Sequence, residues 1–273
     1  MTTFHFIFLP LFGFAVGVLG TLIGAGGGFL LVPVLLVLYP HSSPATITAI
    51  SLAVILLNAS SGTFGYARER RIDYRTGLIL TATAVPAAVA GALMTRLVSR
   101  QLFELIFGLA MVLGAVYVLW KSTGEGQRVN LTHQVPNRLL RDRQGTTYSF
   151  HVSQLLAAVI SPAAGFVSSF LGIGGGIIHV PALALLLRVP ARVATATSHF
   201  VLVFTSLTAV LVHIFTGQFH EGWRRAGLLG LGALLGAQIG VYLANRVNPR
   251  LIMLILSLGL AAAGIRQVLA SIA

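Results

Sequence analysis

Apolar stretches of about 20 residues recur along the chain with hardly a charge inside them, and this limits the fold more than any other feature. They lie at 4–39, 46–67, 76–98, 101–120, 151–187, 194–216, 226–245 and 251–272. About 20 apolar residues in helical form span the ~30 Å hydrocarbon core of a bilayer. Of 273 residues 56% are hydrophobic and 9% charged, against about 25% charged in a water-soluble globular domain. Such a chain has too little charge to cover a water-facing surface. The expected fold is therefore an all-α polytopic membrane protein of about eight transmembrane segments.

The charges that exist sit between these segments. There are 18 Lys and Arg against 6 Asp and Glu, and basic residues in short loops flanking apolar helices set topology and meet anionic headgroups. That placement argues against nucleic acid as a partner. With no cysteine in the chain, disulfides, thiolate metal sites and cysteine nucleophiles are excluded. Met1 to Phe8 carries no Lys or Arg, so the start does not read as a cleavable signal peptide. The cluster Arg68, Arg70, Arg71, Arg75 and the polar stretch from Lys121 onward are two segments apart, and the positive-inside rule assigns both to the cytoplasm. In the second half the loops at 188–192, 217–225 and 246–250 carry two Arg each and give no orientation.

The long polar stretch divides the chain into 1–120, a basic linker at 121–150, and 151–273, and the outer parts resemble each other. Gly24-Ala25-Gly26-Gly27-Gly28-Phe29-Leu30-Leu31-Val32-Pro33 matches Gly172-Ile173-Gly174-Gly175-Gly176-Ile177-Ile178-His179-Val180-Pro181 at an offset of 148. Thr48-Ala49-Ile50-Ser51 echoes Thr195-Ala196-Thr197-Ser198. The reading is two homologous four-segment halves. Residues 4–39 as one helix would reach about 54 Å, so the first segment of each half is expected to break at its glycine cluster, where helix is least favoured. Whether these segments cross or turn back, and hence whether the repeats are parallel or inverted, is left open. Two matched breaks inside the membrane point to a shared internal site, because irregular backbone there must be shielded or line a cavity.

Each break would start a helix, presenting unpaired N–H groups and a positive dipole end to an anion. Gly26, Gly27, Gly28, Gly174, Gly175 and Gly176 are the candidate donors. Gly13 with Gly17, Gly20 with Gly24, and Gly232, Gly236 and Gly240 follow the small-xxx-small spacing of close helix packing. Neither cluster carries the third glycine of a dinucleotide fingerprint or the Lys of a P-loop, so nucleotide-driven transport is not supported. All six acids lie in or near loops, which argues against a cation carrier. His179 and His199 adjoin the duplicated motifs and stand where the first half has Leu31 and Leu52. They are taken as anion-binding and proton-accepting groups, and His213 as packing. Ser51, Ser198 and Asn58 are candidate binding groups, whereas Ser60, Ser61 and Gln238 suit interhelical bonding. Ser198 and His199 are adjacent, so their side chains diverge on a helix and do not make a dyad. No catalytic or metal-binding pattern is found.

The duplicated GxGGG(x)4P motif, opening each half and followed by a Thr/Ser-rich start to the next span, resembles the TauE/SafE family of sulfite and sulfonate exporters. The resemblance covers both halves from about Thr21 to Ile265. It implies secondary transport of sulfite, sulfoacetate or a similar anion at the bacterial inner membrane, with no cofactor. The expected partners are that anion and the lipid bilayer, and a homo-oligomer is compatible with the sequence. An anion channel and an intramembrane lipid-modifying enzyme are the alternatives.

Overall fold

The computed structural model describes residues 3–123, 136–219, 222–244, 246–247 and 249–272. Its helices are α1 Thr3–Ile23, α2 Gly28–Leu38, α3 Pro44–Arg68, α4 Tyr74–Met94, α5 Arg100–Thr123, α6 Gln154–Leu171, α7 Gly176–Pro181, α8 Ala191–Phe215, α9 Trp223–Ala244 and α10 Pro249–Ile272. Among the described residues six helices are long and apolar enough to cross a membrane, namely α1, α3, α4, α6, α8 and α9. At 11 residues each, α2 and Gly176–Leu186 reach only about 16 Å. The two long first segments therefore do break, as the glycine clusters predict.

Helix starts follow local chemistry. Pro44 opens α3 behind Ser43, whose Oγ accepts the Thr46 N–H at 3.2 Å, and Asp73 caps α4 through the Thr76 N–H at 3.3 Å. Pro181 ends the regular part of α7, and a π turn over Ala182–Leu186 follows, consistent with the donor that proline lacks. The short α2 ends in an unusual cap. The Arg100 guanidinium donates to the carbonyls of Leu36 at 2.7 Å, Tyr39 at 3.3 Å and Ser42 at 3.1 Å, and to that of Pro40. A cation there satisfies orphan carbonyls and faces the negative dipole end. Glu104 pairs with it at 2.8 Å.

Helix directions can be read from what touches what. α3 and α8 are antiparallel neighbours, with Thr48 beside His213 at one end and Gly62 beside His199 at the other. α1 runs parallel to α9: Gly13 and Gly17 lie on Leu229 and Ala233, while Gly232, Gly236 and Gly240 lie on Pro10, Phe14 and Val18. α4 runs parallel to α6 in the same way, Gly165 on Ala84 and Gly91 on Phe166. α5 and α10 pack antiparallel through Gly108 and Gly264. These outlying glycines serve backbone contact between helices.

Both broken segments turn back. Gly27 lies against Val16, and α2 brings Tyr39 to Arg225 near the start of α9, 3.8 Å above its ring. The first segment thus returns to the end of the molecule it left. Likewise Leu183, Leu187 and Val189 return to Leu80, Phe150 and Val152, beside the start of α6.

The stretch at 121–150 is more structured than a linker. α5 continues to Thr123, and Arg138–Arg141 pairs antiparallel with Thr147–Phe150 as a β-hairpin; 124–135 lie outside the described residues. The hairpin packs through Leu140, Tyr148 and Phe150 on an apolar cluster and is also tied down by ion pairs. Arg71 bonds Asp142 at 3.3 Å, and Arg138 lies 3.4 Å from Asp73.

Candidate functional site

The two glycine loops meet at the centre of the molecule. Gly24, Gly26 and Gly27 take φ of 87°, 73° and 86°, and Gly172 and Gly174 take 67° and 72°, a region that costs most other residues. In the first loop the Gly20 carbonyl gathers the N–H groups of Gly24 at 3.0 Å, Ala25 at 2.9 Å and Gly26 at 3.1 Å. In the second, Ser168 O takes the Gly172 N–H and, at 3.2 Å, that of Ile173. The loops then press backbone to backbone. A Cβ on Gly28 would lie 2.6 Å from Gly172 O, and one on Gly176 would strike the Gly24 carbonyl. Here the missing side chain is a requirement of packing.

Serines lock this crossing reciprocally. Ser51 Oγ, on α3, donates to Gly172 O at 2.6 Å, and Ser198 Oγ, on α8, donates to Gly24 O at 3.2 Å. Each hydroxyl is spent on the opposite loop, so in this state neither offers its proton to a ligand. Asn58 is engaged too, accepting from Thr21 Oγ1 at 2.9 Å and donating to Gly26 O at 3.3 Å.

The histidines differ. His199 is buried, its Nδ1 is 3.3 Å from Thr195 O, and its Nε2 has no partner. A carbonyl only accepts, so Nδ1 carries hydrogen and a neutral ring leaves a bare Nε2 lone pair. Tyr66 meets the ring edge-on at 5.4 Å and donates to Thr21 O at 2.9 Å.

His179 bridges two elements. Its Nδ1 is 3.0 Å from Gly175 O, its Nε2 is 3.0 Å from Ser161 Oγ, and that hydroxyl is 2.8 Å from Leu80 O. Both ends of this chain are carbonyls, so its three contacts need three hydrogens. A neutral imidazole and a hydroxyl supply two, and an imidazolium supplies the third. Charge at this depth is costly without an opposite charge nearby.

Ser61 and Gln238 form the expected interhelical bonds, Gln238 Nε2 lying 2.7 Å from Ser61 Oγ and Ser61 Oγ 2.7 Å from Leu234 O. Three participants went unnoticed in the sequence: Thr21, Tyr66 and Ser161. Two of these left a signal: at the offset of 148, Thr21 aligns with Ser169, and at the offset of 147 that relates Thr48 to Thr195, Tyr66 aligns with His213, each partner a buried polar side chain. Among the described residues no group of His, Asp and Glu is arranged to hold a metal.

A family model described as sulfite exporter TauE/SafE matches residues 9–267. The chain is 30% identical to the probable membrane transporter protein YunE of Bacillus subtilis (strain 168) over 265 residues, covering 95% of this chain and 96% of that one. It is 24% identical to the probable membrane transporter protein MJ0441 of Methanocaldococcus jannaschii over 278 residues, 96% of each chain. It is 30% identical to the sulfite exporter TauE/SafE family protein 5 of Arabidopsis thaliana over 129 residues, 46% of this chain and 28% of that protein. No solved structure matches.

Proposed function

The chain belongs to the TauE/SafE sulfite exporter family, and we propose that it is a secondary carrier exporting sulfite, or an organosulfonate, across the inner membrane. Relatives named as membrane transporters favour transport over the enzyme alternative. One observation supports the site: the glycine loops cross so that the start of α2 at Gly28 packs on Gly172 and Ile173, and the start of the helix Gly176–Leu186 packs on Gly24 and Ala25, which puts both helix starts at the borders of one crossing. Two positive dipole ends repel unless negative charge lies between them. An oxyanion there takes the N–H groups of Gly27, Gly28 and Gly174 to Gly176 as donors, whereas the Gly26 N–H is already held by the Gly20 carbonyl.

The halves act as inverted copies. The antiparallel α3 and α8, the exchanged pairs α1 with α9 and α6 with α4, and the mutual serine locks support that symmetry. Inverted repeats with broken helices at mid-depth are a frame for alternating access. As one half rocks against the other, Ser51 and Ser198 exchange their carbonyl partners for the anion, and His199 Nε2, once protonated, faces it with a donor. The anion also supplies the opposite charge that lets His179 take a proton and complete its hydrogen-bond chain. Proton and anion thereby move together. For uncompensated negative charge, an inside-negative potential favours export by about 2.3 kcal/mol per charge per 100 mV.

Reconstitution in proteoliposomes tests the reading. Sulfite uptake that saturates and is accelerated by sulfite preloaded on the far side is expected. Flux that rises linearly and ignores counter-substrate would mean a channel instead, and absence of any anion flux would remove the reading.

A further inference from the structure

At the hairpin end of the molecule, far in the fold from the glycine loops, a cavity of about 540 Å³ is lined by Arg68, Arg70, Arg141, Arg143, Asp142 and Gly145. The single acid in its wall is already engaged. Asp142 Oδ1 accepts the N–H groups of Gln144 at 3.0 Å and Thr146 at 2.9 Å, and Oδ2 takes Arg71 and the Tyr148 hydroxyl, each at 3.3 Å. Among the described residues none of the four lining arginines is in an ion pair, although Arg68 rests on the Phe64 ring. Their two walls are fixed to each other by the buried Arg71 and Asp142 pair and by the Arg143 N–H, which donates to Glu69 O at 3.0 Å.

We propose that this recess is a second anion site, separate from the transport site, that binds a phosphate group. Four guanidinium groups around one hollow repel each other within a Debye length of ~8–10 Å, and each presents a fork suited to phosphate oxygens. A phosphate relieves the repulsion, and the backbone of both walls is already set, so binding has only to order the exposed arginine side chains. The recess lies just past Arg68, where α3 ends and headgroups begin, so the phosphate comes either from an anionic lipid or from solution. Occupancy tightens the hairpin on α3, the helix that carries Ser51 and Asn58.

The full chain in phosphatidylcholine nanodiscs, titrated with pyrophosphate, and the chain in nanodiscs containing phosphatidylglycerol, scored for retained lipid by native mass spectrometry, test the site. We expect at least one probe to bind, with about tenfold weaker binding in Arg141→Gln/Arg143→Gln and wild-type binding in Arg224→Gln at the opposite end. Arg68→Gln, on the other wall, is expected to weaken binding in the same direction and covers the case where the hairpin variant misfolds. Pyrophosphate binding identifies a soluble phosphate, and phosphatidylglycerol binding alone a headgroup. Failure of both probes on the wild type, or equal loss in Arg224→Gln, overturns the site. Neither readout involves sulfite flux, so the transport reading stands or falls separately.

Discussion

Ser51 and Ser198 show how single hydroxyls hold the centre. Each makes one buried bond to the loop of the other half, and a buried carbonyl stripped of its partner costs about 1–3 kcal/mol. Ser51→Ala and Ser198→Ala are therefore expected to lower the melting temperature in detergent and to slow sulfite flux, in similar measure for the two. A large effect from one and none from the other would deny their equivalence. The proposed mechanism assigns proton coupling to His179. His179→Asn keeps a donor and an acceptor but cannot gain a proton, so flux should lose most of its dependence on pH while remaining measurable. A wild-type pH profile in that variant would take the histidine out of the coupling. The sequence singled out His179 and both serines because they sit on or beside the repeated motif. It gave no hint of Ser161, which lies on α6, outside any motif, and meets His179 only through folding.

At the scale of elements, glycine position decides the outcome. Gly176→Ala would force its Cβ into the Gly24 carbonyl and separate the loops, an overpacking penalty of about 1–3 kcal/mol with loss of flux. Gly227, on α9, has open space around it, so Gly227→Ala should be neutral or stabilise by up to about 1 kcal/mol. Thermal melts of the two variants side by side check this, and an equal drop in both would refute the argument. The hairpin element depends on charge as well as on its apolar packing. Burial works to raise the Asp142 carboxyl, but the Thr146 N–H and the Arg71 guanidinium together outweigh it and hold the carboxyl below the usual carboxylate range. A lowered folded-state value stabilises docking above the unfolded value near 3.9, and the benefit disappears as pH falls through the folded value. Asp142→Asn removes the carboxylate that Arg71 meets at 3.3 Å and weakens the hold on the hairpin. Hydrogen exchange across 138–150 at neutral pH should accelerate accordingly, and unchanged protection would show that the pair does not hold the hairpin.

For the whole molecule, the natural absence of cysteine makes sidedness testable. Gly145 lies at the hairpin end, and Gln218 lines the recess at the other end with Ser43 and Arg96. Single cysteines at 145 and 218 should react with an impermeant maleimide from opposite sides of the membrane, 145 from the cytoplasm; labelling of both from one side would overturn the topology. Apolar run length and charge placement alone made the helical membrane character legible, because a bilayer leaves few ways to satisfy a backbone. The glycine breaks were legible too, since an unbroken first segment would overrun the hydrocarbon and glycine is the residue that yields. Sequence left open whether those segments cross or return, and it left the hairpin unseen. Those features depend on contacts between residues far apart in the chain: Tyr39 with Arg225, Ser51 with Gly172, Arg71 with Asp142. Local pattern fixes where a helix forms and stops, while its direction and partner follow from close packing that exists only once the chain is folded.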